Sequence, residues 1–224
     1  MCVSVGRLQS DYLYTVNGFP INRVYHFKDL GVIIDSSLNF KYHVNKVRLS
    51  CYRLINLAFK VFAATQPSVY IKFYNTYVVP VIDYCSPLYV NISASNAAQI
   101  EKIPRFFSRR LYRRLYPSKP VPSYSVRLKL FGMQSYGSRS KIIDLTVLYR
   151  FINGSLVIPG IELIRSLHKP GRFLLSRPLS SLERSFFIHR TLTLWNKCLS
   201  CSRFVSFNEI NKHISSPSFL SFNL

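Results

Sequence analysis

Val44, Val47, Cys51, Leu54, Ile55, Ala58 and Phe62 recur at steps of three and four residues, while Lys46, Arg48, Arg53 and Lys60 fall off that stripe. Only a helix buried along one face satisfies such spacing, so the chain from Tyr42 onward has to gather helices around a shared core. The stretch before it has a different period. Tyr14 and Val16 alternate with polar neighbours, Asn17-Gly18 supplies two residues that tolerate positive φ, and Ile21 to Tyr25 alternates again, which predicts a hairpin. Leu30-Gly31-Val32-Ile33-Ile34, closed by Asp35-Ser36-Ser37, predicts a further strand, after which β structure is expected to end. The fold class read from these periods is α+β and mostly α: a short N-terminal β segment, a helical bundle, and a helical C-terminal extension.

Prolines and glycines punctuate the helical part. A helix is predicted from Pro67 through Tyr77, apolar nearly all round and therefore central, with Pro80 kinking or ending it. Asn96 to Leu115 predicts a third helix, in which Ile103, Phe107, Leu111 and Leu115 share one arc and Lys102, Arg105, Arg109 and Arg113 the opposite one. Arg110 and Arg114 border the apolar arc, placed to lay their stems across it, and Pro104 is expected to kink or restart the helix. Three prolines make Pro117 to Pro122 a loop and set a subdomain boundary there. Beyond it, Val126–Phe131, Ile142–Phe151 and Phe186–Leu199 predict helices, Asn153-Gly154 a stop, and Leu174–Ser181 an exposed stretch.

Charge narrows the function. The chain of 224 residues holds 30 Lys+Arg against 9 Asp+Glu, a formal net charge of +21. A solvated helix face ordinarily alternates sign to gain i,i+4 pairs. The face around Lys102, Arg105, Arg109, Arg110, Arg113 and Arg114 has only Glu101 beside it. That imbalance points to a polyanion, and nucleic acid is the commonest one. The acids stand singly along the chain, with no local sign of the converging carboxylates that metal-assisted phosphoryl transfer and glycoside hydrolysis require.

Other chemistries find little support. Cys2, Cys51, Cys85, Cys198 and Cys201 are odd in number and widely spread, which argues against a secreted disulfide scaffold. Cys198 and Cys201, flanked by His189 and His213, invite a zinc reading, but the gaps match no common finger and no second cysteine pair closes a tetrahedral site. The chain opens without a basic-then-apolar leader, and Phe151–Ile164 is broken by Asn153, Gly154, Pro159 and Gly160, so an intracellular protein, nuclear or cytoplasmic, with no membrane partner is expected. Most of the 17 Phe and 15 Tyr are expected in the core, with Tyr112 and Tyr116 placed nearest the cations.

An ordered set of strings then resembles one family. Tyr14-Thr-Val-Asn-Gly18, Phe27-Lys-Asp-Leu-Gly-Val-Ile-Ile-Asp35 and Leu38-Asn-Phe-Lys-Tyr-His43 resemble the segment after the catalytic motif in reverse transcriptases of jockey-like non-LTR retrotransposons. The string from Tyr74 through Tyr77, Pro80 and Tyr84 to Ser86-Pro87 is similar to their Y-x-x-Y-V-x-P-x-x-x-Y-x-S-P block. Ile100-Glu-Lys-Ile103 with Arg109-Arg110 resembles their I-E-K-V helix, Arg127-Leu-Lys-Leu-Phe-Gly132 their R-L-x-x-L-G-L, and Phe186-Phe187 with Leu194-Trp195-Asn196 their F-F-x-x-R-x-x-x-x-W-N.

The resemblance implies an RNA-directed DNA polymerase fragment: residues 1–41 the end of the palm, with Phe27, Leu30 and Gly31 in a primer-grip-like position, 42–116 a helical thumb, and 117–224 a C-terminal extension. The family's paired aspartates, which hold magnesium, would lie upstream, so no cofactor is expected here, magnesium serving only the missing catalytic part, and no catalysis by this chain alone. The implied partner is a template–primer of RNA and DNA, held nonspecifically by its backbone through Lys28, Lys46, Arg48, Arg53, Lys102, Arg105, Arg109, Arg110, Arg113 and Arg114, with no small-molecule substrate. Two other readings stay open: a basic assembly protein that docks on structured RNA or an acidic partner, and a nonfunctional element remnant.

Overall fold

The computed structural model describes residues 13–62, 66–167, 171–174, 177–178 and 180–198. It is mostly helical, with short antiparallel strands near the N-terminus, so the chain is α+β and mostly α. The chain forms two compact units, residues 1–127 and 128–224.

In the first unit, β1 (Thr15–Val16) pairs with β2 (Phe19–Pro20) around Asn17 and Gly18, both at positive φ, as the Asn-Gly pair predicts. A second hairpin joins β3 (His26–Asp29) to β4 (Val32–Asp35). Here the sequence reading is corrected. Leu30 and Gly31 do not begin a strand; they are the turn, at φ 43 and 93, and His26–Asp29 forms the strand that alternation did not reveal. Leu30 is a bulky residue in the left-handed region, a strained choice, and the Tyr84 hydroxyl holds the turn by donating to the Leu30 carbonyl at 2.6 Å.

Asp35 converts the end of β4 into the start of a helix. Its Oδ1 accepts the N–H groups of Ser37 and Asn39, and its Oδ2 accepts that of Phe40 at 2.8 Å. These bonds fix the loop leading into α1 (Lys41–Val61). The apolar stripe is realised there: Val44, Val47, Cys51, Ile55 and Ala58 are buried, joined by His43 and Phe59.

The return segment is α2 (Pro67–Phe73), a π-helical turn (Tyr74–Val78) and α3 (Val79–Asp83). Pro80 does not end the helical course, contrary to that part of the sequence expectation. A proline has no N–H, and its ring crowds the carbonyl four residues back. The wider π turn absorbs that conflict, with the Val79 N–H reaching back five residues to the Tyr74 carbonyl. Nor is this segment buried all round: Tyr70, Tyr74, Val78, Val79 and Ile82 face the core, while Tyr77 is 56% exposed.

Short α4 (Ser86–Tyr89) leads to α5 (Ala94–Leu115), whose N-cap Ser93 accepts the Asn96 N–H. Pro104 does not break α5; it lies buried inside one continuous helix. An interior proline costs about 3 kcal/mol. Ile100, Ile103, Phe107 and Leu111, all fully buried around it, supply the offsetting contacts. Phe107 stacks on Tyr74 and meets Phe59 edge-on, joining α1, α5 and the return segment in one core.

Contacts along α1 and α5 rise together in number: Arg48 with Gln99, Tyr52 with Phe106, and Asn56 with Arg110. The two long helices therefore run parallel, and their N-termini lie at the same end. Asn96, buried in the first turn of α5, ties that end together by donating to the Asn39 carbonyl at 2.8 Å and the Tyr89 carbonyl at 3.1 Å. The division between units falls within α6 (Tyr124–Leu130), past the proline loop. Arg127, in the first unit, is buried and donates to Ser108 Oγ and to the Pro122 carbonyl.

The second unit packs α7 (Tyr136–Ile152) against α9 (Phe187–Cys198), with α8 (Ser181–Ser185) before α9. Leu145, Leu148, Phe173, Leu192 and Trp195 form its core. α7 starts earlier than hydrophobic spacing predicts, because Ser135 caps it through the Ser138 N–H ahead of the first apolar residues of the predicted run. Among the described residues β structure also recurs after Asp35, as an isolated bridge between Arg165 and Phe173. The terminal motif residues have structural work here. Asn196 clamps Phe173, accepting its N–H at 3.1 Å and donating to its carbonyl at 2.9 Å, and Trp195 Nε1 donates to the Gly171 carbonyl. Arg190 meets Asp144 through two bonds of 2.9 and 3.0 Å, with the Asp144 side chain only 6% exposed. The predicted exposed stretch is only partly described, Leu175, Ser176 and Leu179 lying outside the described residues.

Removing one partner of a buried ion pair strands the other charge. Arg190→Met is therefore expected to destabilise the second unit by about 3–5 kcal/mol, measured as a lowered urea midpoint in the fluorescence of Trp195, the chain's single tryptophan. Burial pushes the Cys51 thiol up to about 12, so it stays protonated near neutral pH. In native protein at pH 8 Cys51 should resist iodoacetamide, and should be alkylated only after denaturation, as peptide mass spectrometry would read.

Candidate nucleic-acid interface

α1 contains no acidic residue and α5 contains one, Glu101. Glu101 accepts the Tyr124 hydroxyl at 2.5 Å and stands four residues before Arg105 on α5. Burial together with that bond raises the Tyr124 hydroxyl above its ordinary range. Lys102, Arg105, Arg109 and Arg113 are solvent-exposed on α5, opposite the buried arc of Ile100, Ile103, Phe107 and Leu111, as helical spacing predicts, and Arg114, which borders that arc, is exposed as well.

The cations have distinct settings. Arg105 lies over the Tyr124 ring at 4.3 Å. Arg110 is half-buried: it reaches across the seam to Asn56 and lies 4.9 Å over Phe59 and 5.9 Å over Phe106, so its stem covers apolar surface as expected of a residue bordering that arc. Lys28 is exposed on β3, and Arg53 is exposed on α1. Tyr112, expected among the cations, is instead buried against Tyr116, which itself carries Lys119 5.3 Å over its ring.

Two clefts draw their lining from separated parts of the sequence, and the first gathers cations. The first, about 340 Å³, lies at the N-terminal ends of α1 and α5 and is lined by Lys41, Val44, Asn45, Arg48, Ser95, Asn96, Gln99 and Lys102. Arg48 Nη1 and Lys102 Nζ both donate to Gln99 Oε1, at 3.1 and 3.2 Å, and Arg48 Nη2 donates to Asn45 Oδ1 at 2.9 Å. Neutral amides thus hold two positive charges together and neutralise neither. The second, about 410 Å³ and largely apolar, is lined by Gly31, His43, Lys46, Val47, Ser50, Pro80, Val81 and Tyr84. It brings Gly31 of the primer-grip-like string beside Lys46. Phe27 is half-buried opposite Ile34, and Leu30 is 84% exposed at the turn.

Residues that sequence reasoning missed are Lys41, Asn45, Ser95, Asn96 and Gln99. A signal for two of them was available: Asn45 and Gln99 stand three residues before Arg48 and Lys102, a helical neighbour spacing that lets an amide steer a cation.

Magnesium finds no cage among the described residues, where no group of three or more His, Cys, Asp or Glu is placed to hold a metal ion. Asp35 is taken up by three backbone N–H groups, Glu101 by Tyr124 and Asp144 by Arg190. Of the zinc reading, Cys201 and His213 lie outside the described residues. Among the described residues no helix is long and apolar enough to cross a membrane.

Comparison with known proteins gives one relative, an uncharacterized protein of Caenorhabditis elegans, 27% identical over 139 residues that span 62% of this chain and 69% of the relative. No family model matches the chain, and no solved structure matches it.

His43 is 4% exposed and accepts the Ile33 N–H on Nδ1 at 3.3 Å, which assigns its proton to Nε2. Burial, with the nearby Lys46 charge, lowers its pKa below the ordinary 6.5. The folded protein then binds this proton more weakly than the unfolded chain. The stability contributed by neutral His43 is complete above pH 6.5 and falls as pH drops from there toward the lowered value, by at most about 1.4 kcal/mol per pH unit. Thermal melts from pH 7.5 to 5 should show this decline, and His43→Gln should flatten it.

Proposed function

We propose that this chain is a nucleic-acid backbone-binding module, the palm end, thumb and C-terminal extension of a jockey-like reverse transcriptase, which grips an RNA–DNA template–primer through the basic surface of α1 and α5. The observation that carries the reading is the charge of that surface: two long parallel helices that together hold eleven Lys and Arg against one acidic residue, Glu101. Backbone gripping requires cations and no acids, because phosphates supply the opposite charge and carry no sequence information. The fixed parallel pair also provides a rigid support, which a surface contacting several successive phosphates needs. The motif strings support the ancestry, since their order along the chain follows that of the family.

Fluorescence anisotropy with a labelled RNA–DNA hybrid of defined length tests this. If the six cations Lys102, Arg105, Arg109, Arg110, Arg113 and Arg114 each neutralise one phosphate, log affinity against log salt should fall with a slope of about −5. Arg109→Gln with Arg113→Gln should reduce that slope by about 2, without a change in melting temperature. Binding that is independent of salt, or unchanged in the double variant, would overturn the assignment.

A further inference from the structure

We propose that the cleft at the paired N-termini of α1 and α5 is a phosphate-binding site, which captures one phosphate between Arg48, Lys102 and Lys41. The inference rests on the nucleic-acid reading for the source of that phosphate, a phosphodiester of the bound strand, but the site is argued from its own geometry.

Four features converge. The lining of the 340 Å³ cleft holds three cations and no carboxylate. Arg48 and Lys102 are drawn to a single neutral oxygen, Gln99 Oε1, so two like charges are held close together and repel. Arg48 is fixed by Asn45 on its other side, and its Nε is buried without a hydrogen-bond partner, leaving the guanidinium oriented and incompletely satisfied. Both helices begin at this end with no acidic residue in the first turn, the Asp35 carboxylate reaching the Phe40 N–H ahead of α1 and the Ser93 hydroxyl capping α5. An anion with several oxygens offsets the repulsion between the two cations, and a phosphate fits the outer Nη groups of the guanidinium.

Gln99→Glu provides the test. It leaves size and shape almost unchanged and places a carboxylate where the two cations already meet. The variant should melt at a higher temperature, because the repulsion is neutralised internally, and should lose anion binding for the same reason. Titration of the full-length protein with inorganic phosphate, followed by 1H–15N NMR, should move the Ser95 and Asn96 amides in wild type and leave them still in Gln99→Glu. With the RNA–DNA hybrid, Gln99→Glu should lower the salt slope by about 1, the share of one phosphate. Lys41→Gln, Arg48→Gln and Lys102→Gln combined should also lower it by about 1, because the three share that phosphate.

Amides of Ser95 and Asn96 that ignore phosphate, or that respond equally in Gln99→Glu, overturn the site. A hybrid slope unchanged in Gln99→Glu overturns the phosphodiester as its ligand while the backbone-binding reading stands. Phosphate binding in the cleft with no hybrid binding at all overturns that reading instead, and assigns the cleft to a small phosphorylated ligand.

Discussion

The parallel packing of α1 on α5 is the constraint from which the rest of the first unit follows. Consecutive helices joined by short loops run antiparallel; two that run parallel need a third segment to carry the chain back. Residues 66–93 are that segment, and the π turn at Tyr74–Val78 is how it passes Pro80 without losing its helical course. The core is the meeting of all three, with Phe107 between Phe59 and Tyr74. Asp35 and Asn96 then fix the end at which both long helices begin, one by accepting three backbone N–H groups and the other by donating to two carbonyls.

Parallel packing has an electrostatic consequence. Antiparallel neighbours set one helix's positive end beside the other's negative end, whereas here two positive ends are adjacent. Asn45, Arg48, Gln99 and Lys102 are stacked at that same end, and amides rather than carboxylates order the cations. Cations of both helices are therefore held together in a cleft whose lining includes no carboxylate. Farther along the seam, Arg110 uses rings and an amide in the same way, its charge placed but not neutralised.

The second unit spends its charged and polar residues differently. Its Asp144–Arg190 pair ties α7 to α9, while the Asn196 clamp on Phe173 and the Trp195 bond to Gly171 tie α9 to the chain that precedes it. Trp195 and Asn196 of the terminal string, with Arg190 just before them, are thereby accounted for as fasteners. In the first unit the same holds for Tyr74, Tyr84 and Pro80, which stack on the core, hold the β3–β4 turn and set the π turn.

The sequence by itself determined the helical stripe of α1, the opposed apolar and basic arcs of α5, the Asn-Gly hairpin and the excess of positive charge, because each is a local period, a local turn preference or a sum. Only tertiary structure decided that Leu30-Gly31 is a turn, that helices continue past Pro80 and Pro104, and that Tyr112 is buried, since packing there outweighs local preference. It alone brought Arg48 to Lys102. The two lie on different helices, and the amide that joins them is silent in any pattern of charge or hydrophobicity, because its role exists only once the helices lie side by side.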